Sequence, residues 1–174
     1  MENLPRTSQD APEVALNRLL TGSVRSRITT AESCTGGNVA ARITSVAGSS
    51  AYFYGGLVAY DNGVKTRLLG VPESVLKRHG AVSAECAQAM ALGARTLFTA
   101  DYAVSTTGVA GPGGGSGTKP VGLVFVSVSG PAGTDTFECR FSGDRREIVS
   151  QAINRTLGEL LRAVEAGESH RASP

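Results

Sequence analysis

Ala31-Glu32-Ser33-Cys34-Thr35-Gly36-Gly37 decides how this chain is read. It follows the short apolar run Ile28-Thr29-Thr30 and precedes a helical pattern beginning near Val39, so a serine stands where a strand meets a helix. The first N–H groups of a helix have no partner inside it and point at whatever comes just before. Two glycines let a ligand or a reacting oxyanion approach the main chain closely. Such a turn suits chemistry at Ser33. The same letters also describe a plain capped turn, since Ser and Thr are ordinary N-caps, and the surrounding sequence has to separate the two readings.

Outward from this turn, strands and helices alternate. Pro12 and Glu13 open a helix with Leu16, Leu19 and Leu20 on one face, ending near Gly22. A strand is predicted over 27–32, a helix over 37–45, and a strand through Gly56-Leu57-Val58-Ala59-Tyr60. Short helical pieces follow over 64–69 and 73–78. Ser83 caps a long helix in which Ala87, Met90, Ala91, Ala94, Leu97 and Phe98 recur at three- and four-residue spacing. A buried strand over 102–107 leads into a glycine-rich loop, residues 108–120. Strands over 121–129 and 134–141 are joined by Gly130-Pro131-Ala132-Gly133, a hairpin signal that brings antiparallel pairing into the sheet. A last helix runs from Asp144 to about Val164. The pattern predicts an α/β fold: one three-layer α/β/α domain over residues 11–165, with a mixed, mostly parallel sheet of about five strands. The polar ends, 1–10 and 166–174, read as flexible tails.

Composition narrows the function classes. The 174 residues are enough for one domain with a real core. Net charge is only +2 and the basic residues are dispersed, so no stripe is set out for a nucleic-acid backbone. No run approaches a membrane span, and the N-terminus lacks the pattern of an export signal; a cytoplasmic location is expected. Cys34, Cys86 and Cys139 are odd in number and far apart, which fits reduced thiols. With only His79 and His170 besides, no metal site is expected.

Single motifs give little. The glycine-rich loop matches neither phosphate-loop pattern, because Pro120 follows Lys119. Ser33 is outside G-x-S-x-G, and Ser74-Val75-Leu76-Lys77 has the S-x-x-K spacing without its partner motifs. Arg145 and Arg146 are more informative. They stand in the first turn of the last helix, where the macrodipole disfavours cations. Either Asp144 and Glu147 compensate as a capping box, or a phosphate is held there by guanidinium and helix N–H groups together.

Taken together, Ala31–Gly37, Gly48-Ser49-Ser50, Tyr60 with Lys65, Gly80-Ala81-Val82-Ser83, Thr107-Gly108-Val109-Ala110-Gly111-Pro112, Lys119-Pro120-Val121-Gly122 and Ser142-Gly143-Asp144-Arg145 resemble the C-terminal domain family of the competence/damage-inducible protein CinA, over about residues 13–164. The resemblance implies a nicotinamide-nucleotide amidase, converting nicotinamide mononucleotide to nicotinate mononucleotide and ammonia in pyridine-nucleotide recycling, without metal or cofactor. It implies Ser33 as nucleophile, Lys65 as general base and Tyr60 beside them. Ser50, Thr107, Gly108 and Arg145 match pocket positions, and Thr35, Gly36, Gly37 and Gly111 are further substrate-binding candidates. A homo-oligomer, with a dimer favoured, is expected. The pyrophosphatase-like domain of longer relatives has no counterpart here, which implies a stand-alone form. Two rival readings are a nucleotide-binding module without catalysis and an amidase for another amide.

The chemistry agrees with that implication. A serine hydroxyl needs a base to attack an amide, and a lysine serves only when neutral. Moving its pKa from about 10.4 to about 7 costs roughly 4–5 kcal/mol, to be supplied by burial and neighbours.

Overall fold

The computed structural model describes residues 10–22 and 25–171. In chain order the elements are α1 (Pro12–Thr21), β1 (Ile28–Glu32), α2 (Asn38–Thr44), a single 3₁₀ turn (Ser49–Ala51), β2 (Phe53–Val58), α3 (Asn62–Leu69), α4 (Glu73–His79), α5 (Ala84–Leu97), β3 (Tyr102–Gly108), β4 (Leu123–Gly130), β5 (Gly133–Arg140) and α6 (Arg145–Arg171). They form a three-layer α/β/α domain around one five-stranded sheet, ordered β2-β1-β3-β4-β5. β1 pairs in parallel with both β2 and β3, while β3–β4 and β4–β5 are antiparallel. The hairpin falls where the Gly130–Gly133 signal put it, with Gly130 opposite Gly133.

Each face of the sheet carries its own helices. On one side Leu16 and Leu20 of α1, Val39 and Ile43 of α2, and Ile153, Leu157, Leu160 and Val164 of α6 close over Ile28, Tyr102, Val104 and Val128. The other side is built from smaller residues: Ala31, Ala103, Met90, Ala94 and Cys86, with Leu69 and Val71. Small side chains let α5 lie close to the sheet. At Gly93 α5 packs tightly on the end of α3, since a Cβ there would collide with the Leu69 carbonyl. β1 is buried throughout its length, which is why it reads as an unbroken run rather than an alternation.

Two element boundaries differ from the sequence reading. β2 begins at Phe53, three residues before the predicted strand, and ends before Tyr60. α6 continues past Val164 to Arg171, so residues 166–171 are helix rather than a loose tail. Small residues allow this: Gly167 packs against the Tyr102 ring, and a side chain there would strike its hydroxyl. The remaining predicted tail residues, 1–9 and 172–174, lie outside the described residues.

Candidate active site

β1 and β2 run in parallel, so their C-terminal ends deliver Ser33 and Tyr60 to the same end of the sheet, as open α/β sheets place their ligand sites. Ser33 directly follows β1 and is anchored to β3 by its N–H, which donates to the Thr106 carbonyl at 2.9 Å. It is half-buried. Behind it lies Glu32, the last strand residue, only 1% exposed. Its carboxylate accepts from the Thr35 hydroxyl (2.7 Å) and from the N–H groups of Gly37 (3.0 Å), Val39 (2.9 Å) and Ala40 (2.8 Å). The chain therefore fills its own helix terminus. This corrects the expectation that the first turn of α2 is open to substrate.

The correction reassigns several residues. The Thr35 hydroxyl is buried between Glu32 and the Thr106 hydroxyl, 2.7 Å from each, and serves the frame of the turn. Gly37 gives its N–H to Glu32, and Gly36 gives its own to the Ser33 carbonyl at 3.1 Å. Directly after Ser33, the Cys34 N–H faces its own thiol and the Thr35 N–H has no acceptor among the described residues. Glu32 is the functional residue that sequence reasoning missed. A glutamate closing a strand just before a serine was its signal.

Lys65 sits on α3, only 1% exposed. Its Nζ donates to the Tyr60 carbonyl at 3.0 Å, and the Cys86, Asp61, Cys34 and Tyr60 side chains are near enough to act on its charge. Burial outweighs them and lowers its pKa from the ordinary 10.5. Cys34 goes the other way: burial pushes its thiol up to about 12, despite a hydrogen bond with Thr106. A thiol that stays protonated is a poor nucleophile, which disfavours Cys34 as a reactive group in this turn.

Arg145, at the start of α6, joins the site from across the sheet. Its Nη1 donates to the Gly111 carbonyl at 2.8 Å and its Nη2 to the Tyr60 hydroxyl at 3.3 Å. Tyr60, Gly111 and Arg145 thus meet, beside a cavity of about 420 Å³ lined by Gly111, Pro112, Val121, Arg145 and Arg146 among others. The N–H groups of α6 do not face it. Asp144 Oδ1 takes those of Arg146 (2.7 Å) and Glu147 (2.9 Å), and Glu147 returns the bond to the Asp144 N–H (2.7 Å). The capping box is present, and it occupies the N–H groups of Arg146 and Glu147.

Of three other candidates, two make structural contacts and one lies away from Ser33. The Thr107 hydroxyl is buried and donates to the Ala81 carbonyl at 2.7 Å. Gly108 is required by packing, since a Cβ would come 2.6 Å from the Leu123 carbonyl oxygen. Ser50 lies in the turn before β2, at the opposite end of the sheet from Ser33, and one chain does not bring them together. The glycine-rich loop is fastened as well: Lys119 reaches across to the His79 carbonyl, a link that gives the Lys-Pro-Val-Gly motif a role. Among the described residues no cluster of His, Cys, Asp and Glu is arranged to hold a metal, and no helix is long and apolar enough to cross a membrane.

Fold and site define an α/β domain with a serine turn and a buried lysine at the C-terminal end of a mixed sheet. The model of the CinA C-terminal domain matches residues 11–164, and the chain belongs to that family. Similar proteins include the CinA-like proteins of Cyanothece sp. (50% identical over 139 residues) and Mycolicibacterium vanbaalenii (52% over 141 residues), each match covering 80% of this chain. The chain spans about a third of the length of these relatives (33%). Among solved structures, the competence/damage-inducible protein CihA from Agrobacterium tumefaciens is 39% identical with a TM-score of 0.83, covering 95% of this chain and 99% of that one. The competence or damage-inducible protein from Enterobacter asburiae is 34% identical with a TM-score of 0.84, covering 88% and 96%.

Proposed function

We propose that this domain is an amidohydrolase that converts nicotinamide mononucleotide to nicotinate mononucleotide and ammonia. The observation that carries the reading is Lys65, a fully buried amine with its pKa lowered by burial, beside a turn that presents a serine. A lysine whose pKa lies below its ordinary value suits a serine amidase without histidine.

In this mechanism neutral Lys65 takes the Ser33 proton as Oγ attacks the carboxamide carbon. The oxyanion that develops meets the N–H groups of Cys34 and Thr35, each worth about 3–4 kcal/mol if it resembles a measured oxyanion-hole donor. Collapse breaks the C–N bond, and protonated Lys65 gives its proton to the departing nitrogen, so ammonia leaves and an ester to Ser33 remains. Water, deprotonated by Lys65, hydrolyses that ester and frees the carboxylate product and the serine. Glu32 holds the turn in shape throughout. The guanidinium of Arg145, now on two neutral oxygens, exchanges them for the substrate phosphate at the mouth of the adjoining cavity, where Arg146 adds a second cation.

Ammonia release from nicotinamide mononucleotide tests the reading. Wild type releases it, Ser33→Ala loses at least about a hundredfold in turnover, and Cys34→Ala stays active. The reverse pattern would remove the serine mechanism, and a silent wild type would remove the amidase reading.

A further inference from the structure

Between α2 and α6, on the outside of the sheet, runs a trough whose far end has no part in the mechanism above. It is a cavity of about 470 Å³, walled by Asn38 and Arg42 of α2 and by one face of α6 from Arg145 to Ile153. Arg146 and Ile153 are seven residues apart, so at about 1.5 Å per residue the trough follows α6 for about 10 Å. Arg145 and Arg146 stand at one end, where they also line the cavity beside Gly111 and Pro112. Arg42 closes the other end, its Nη1 reaching the Asn154 side-chain oxygen at 3.5 Å. Between these cations the α6 wall offers Val149, Ile153 and the exposed Ser150.

Arg42 is aimed along this trough by a buried carboxylate. Glu13 of α1 is buried, and its Oε1 lies 3.3 Å from the same Nη1. Its other oxygen, Oε2, is buried without a hydrogen-bond partner among the described residues. Burying a carboxylate for one long contact adds little stability. What it does achieve is to hold a guanidinium by a single nitrogen. Nε and Nη2 of Arg42, and the whole guanidinium of Arg146, take no acceptor among the described residues. The neighbouring acids Asp144 and Glu147 are engaged in capping α6. Three guanidinium groups therefore line one cavity, with donors to spare at both of its ends.

We infer that the trough is a second anion site, and that it takes a nucleoside bisphosphate, a ligand with phosphate groups on two sides of its sugar. One phosphate lies at Arg145 and Arg146 and the other at Arg42. The separation of the cations favours two spaced phosphates over a compact anion, and the sugar between them lies over Val149 and Ile153. The Ser150 hydroxyl and the amide of Asn38 flank it as neutral donors. Asn38 already donates one N–H to the Thr35 carbonyl at 2.6 Å and has a second to give. The ligand uses Arg145, so it displaces nicotinamide mononucleotide and regulates the active site by occupying it. That consequence rests on the amidase reading; the binding does not.

Isothermal titration of the full chain with adenosine 3′,5′-bisphosphate and adenosine 5′-monophosphate, in metal-free buffer, tests the site. The bisphosphate should bind at least about tenfold more tightly, the scale of one added charge-assisted contact. Arg42→Ala should remove that difference and hardly change monophosphate binding. Because Arg42→Ala also strips buried Glu13 of its cation, Ser150→Glu serves as a second variant: it sets a carboxylate in the trough from an exposed helical position, keeps the circular dichroism of wild type and should remove the difference as well. Equal affinity for the two nucleotides in wild type, no binding of the bisphosphate, or a preference that survives in folded Ser150→Glu overturns the site. In the ammonia assay the bisphosphate should raise KM for nicotinamide mononucleotide and leave kcat unchanged. A wild type that prefers the bisphosphate but releases no ammonia indicts the amidase reading alone, and one that releases ammonia without that preference indicts the trough alone.

Discussion

α2 and α6 both begin against the chain's own carboxylates, in opposite surroundings. At α2 the carboxylate of Glu32 is buried and collects three N–H groups and a hydroxyl. At α6 Asp144 and Glu147 cap each other on the surface. Both termini look like anion sites in the sequence, and in both the anion is already part of the protein. The difference lies in what each cap leaves over. Glu32 takes the N–H groups of Gly37, Val39 and Ala40 and leaves those of Cys34 and Thr35, which the proposed mechanism assigns to the oxyanion. Asp144 takes the N–H groups of α6 and leaves only side chains, Arg145 and Arg146, for a ligand. On the proposed amidase reading, one terminus serves a charge that develops during reaction and the other a charge the substrate brings.

The largest effect should come from breaking the buried cap. Glu32→Ala removes the acceptor of four donors in a place water does not reach, and an unsatisfied buried donor costs about 1–3 kcal/mol. Even with partial relaxation, stability should fall by about 3–5 kcal/mol, the range for removing one member of a buried charged network. The midpoint of urea unfolding reads this directly. A loss below about 1 kcal/mol would show that Glu32 does not organise the turn.

Next in size is Lys65. In the proposed mechanism the working form is the neutral amine, so kcat/KM should rise with pH as Lys65 loses its proton. Burial lowers that pKa, so the rising limb should lie below the ordinary lysine value of 10.5. Lys65→Arg keeps the charge and cannot deprotonate in this range, and turnover should drop at least about a hundredfold. A limb at or above 10.5, or an active Lys65→Arg, would exclude the base role.

Arg145 follows. Arg145→Ala should weaken use of nicotinamide mononucleotide by about 2–3 kcal/mol in kcat/KM, the scale of a charge-assisted hydrogen-bonded pair. Nicotinamide riboside, with the same carboxamide and no phosphate, should be a poor substrate for wild type and hardly change. Equal losses for both compounds would mean that Arg145 acts through Gly111 and Tyr60 as a brace and not on phosphate.

Much of this architecture is legible in the sequence because it depends on local rules. The Ser83 hydroxyl caps α5 by accepting from the Cys86 N–H, and both the stripe of α5 and the hairpin at Gly130–Gly133 follow from spacing and turn chemistry. What was illegible depends on direction. Nothing in the letters of Glu32 says that its side chain turns towards α2, because that is fixed by which face of β1 the helix covers. Ser50 is 17 positions from Ser33, yet the chain passes down α2 between them and leaves them at opposite ends of the sheet. The start of β2 is hard to read because Gly55 and Gly56 weaken a strand pattern; Gly56 is needed where a side chain would strike the Thr30 hydroxyl.

The smallest expected effect is at the exposed cap, and it sharpens the contrast with Glu32. Asp144→Ala frees the Arg146 and Glu147 N–H groups, but water replaces the lost acceptor, so the cost should be that of an ordinary N-cap, about 1 kcal/mol. The charge change matters more than the cap. Asp144 is adjacent to Arg145 and lines the same cavity as Arg145 and Arg146, so its carboxylate opposes an incoming phosphate, and exposed charges near a helix terminus act with a few tenths to about 1 kcal/mol. Removing it should lower KM for nicotinamide mononucleotide by about twofold while kcat stays as it was, since nothing at this terminus touches the reacting carbon. Urea unfolding and steady-state kinetics on the same preparation give both numbers. A kcat that falls tenfold would mean that the α6 terminus takes part in the chemistry, and the division of labour between the two caps would have to be given up.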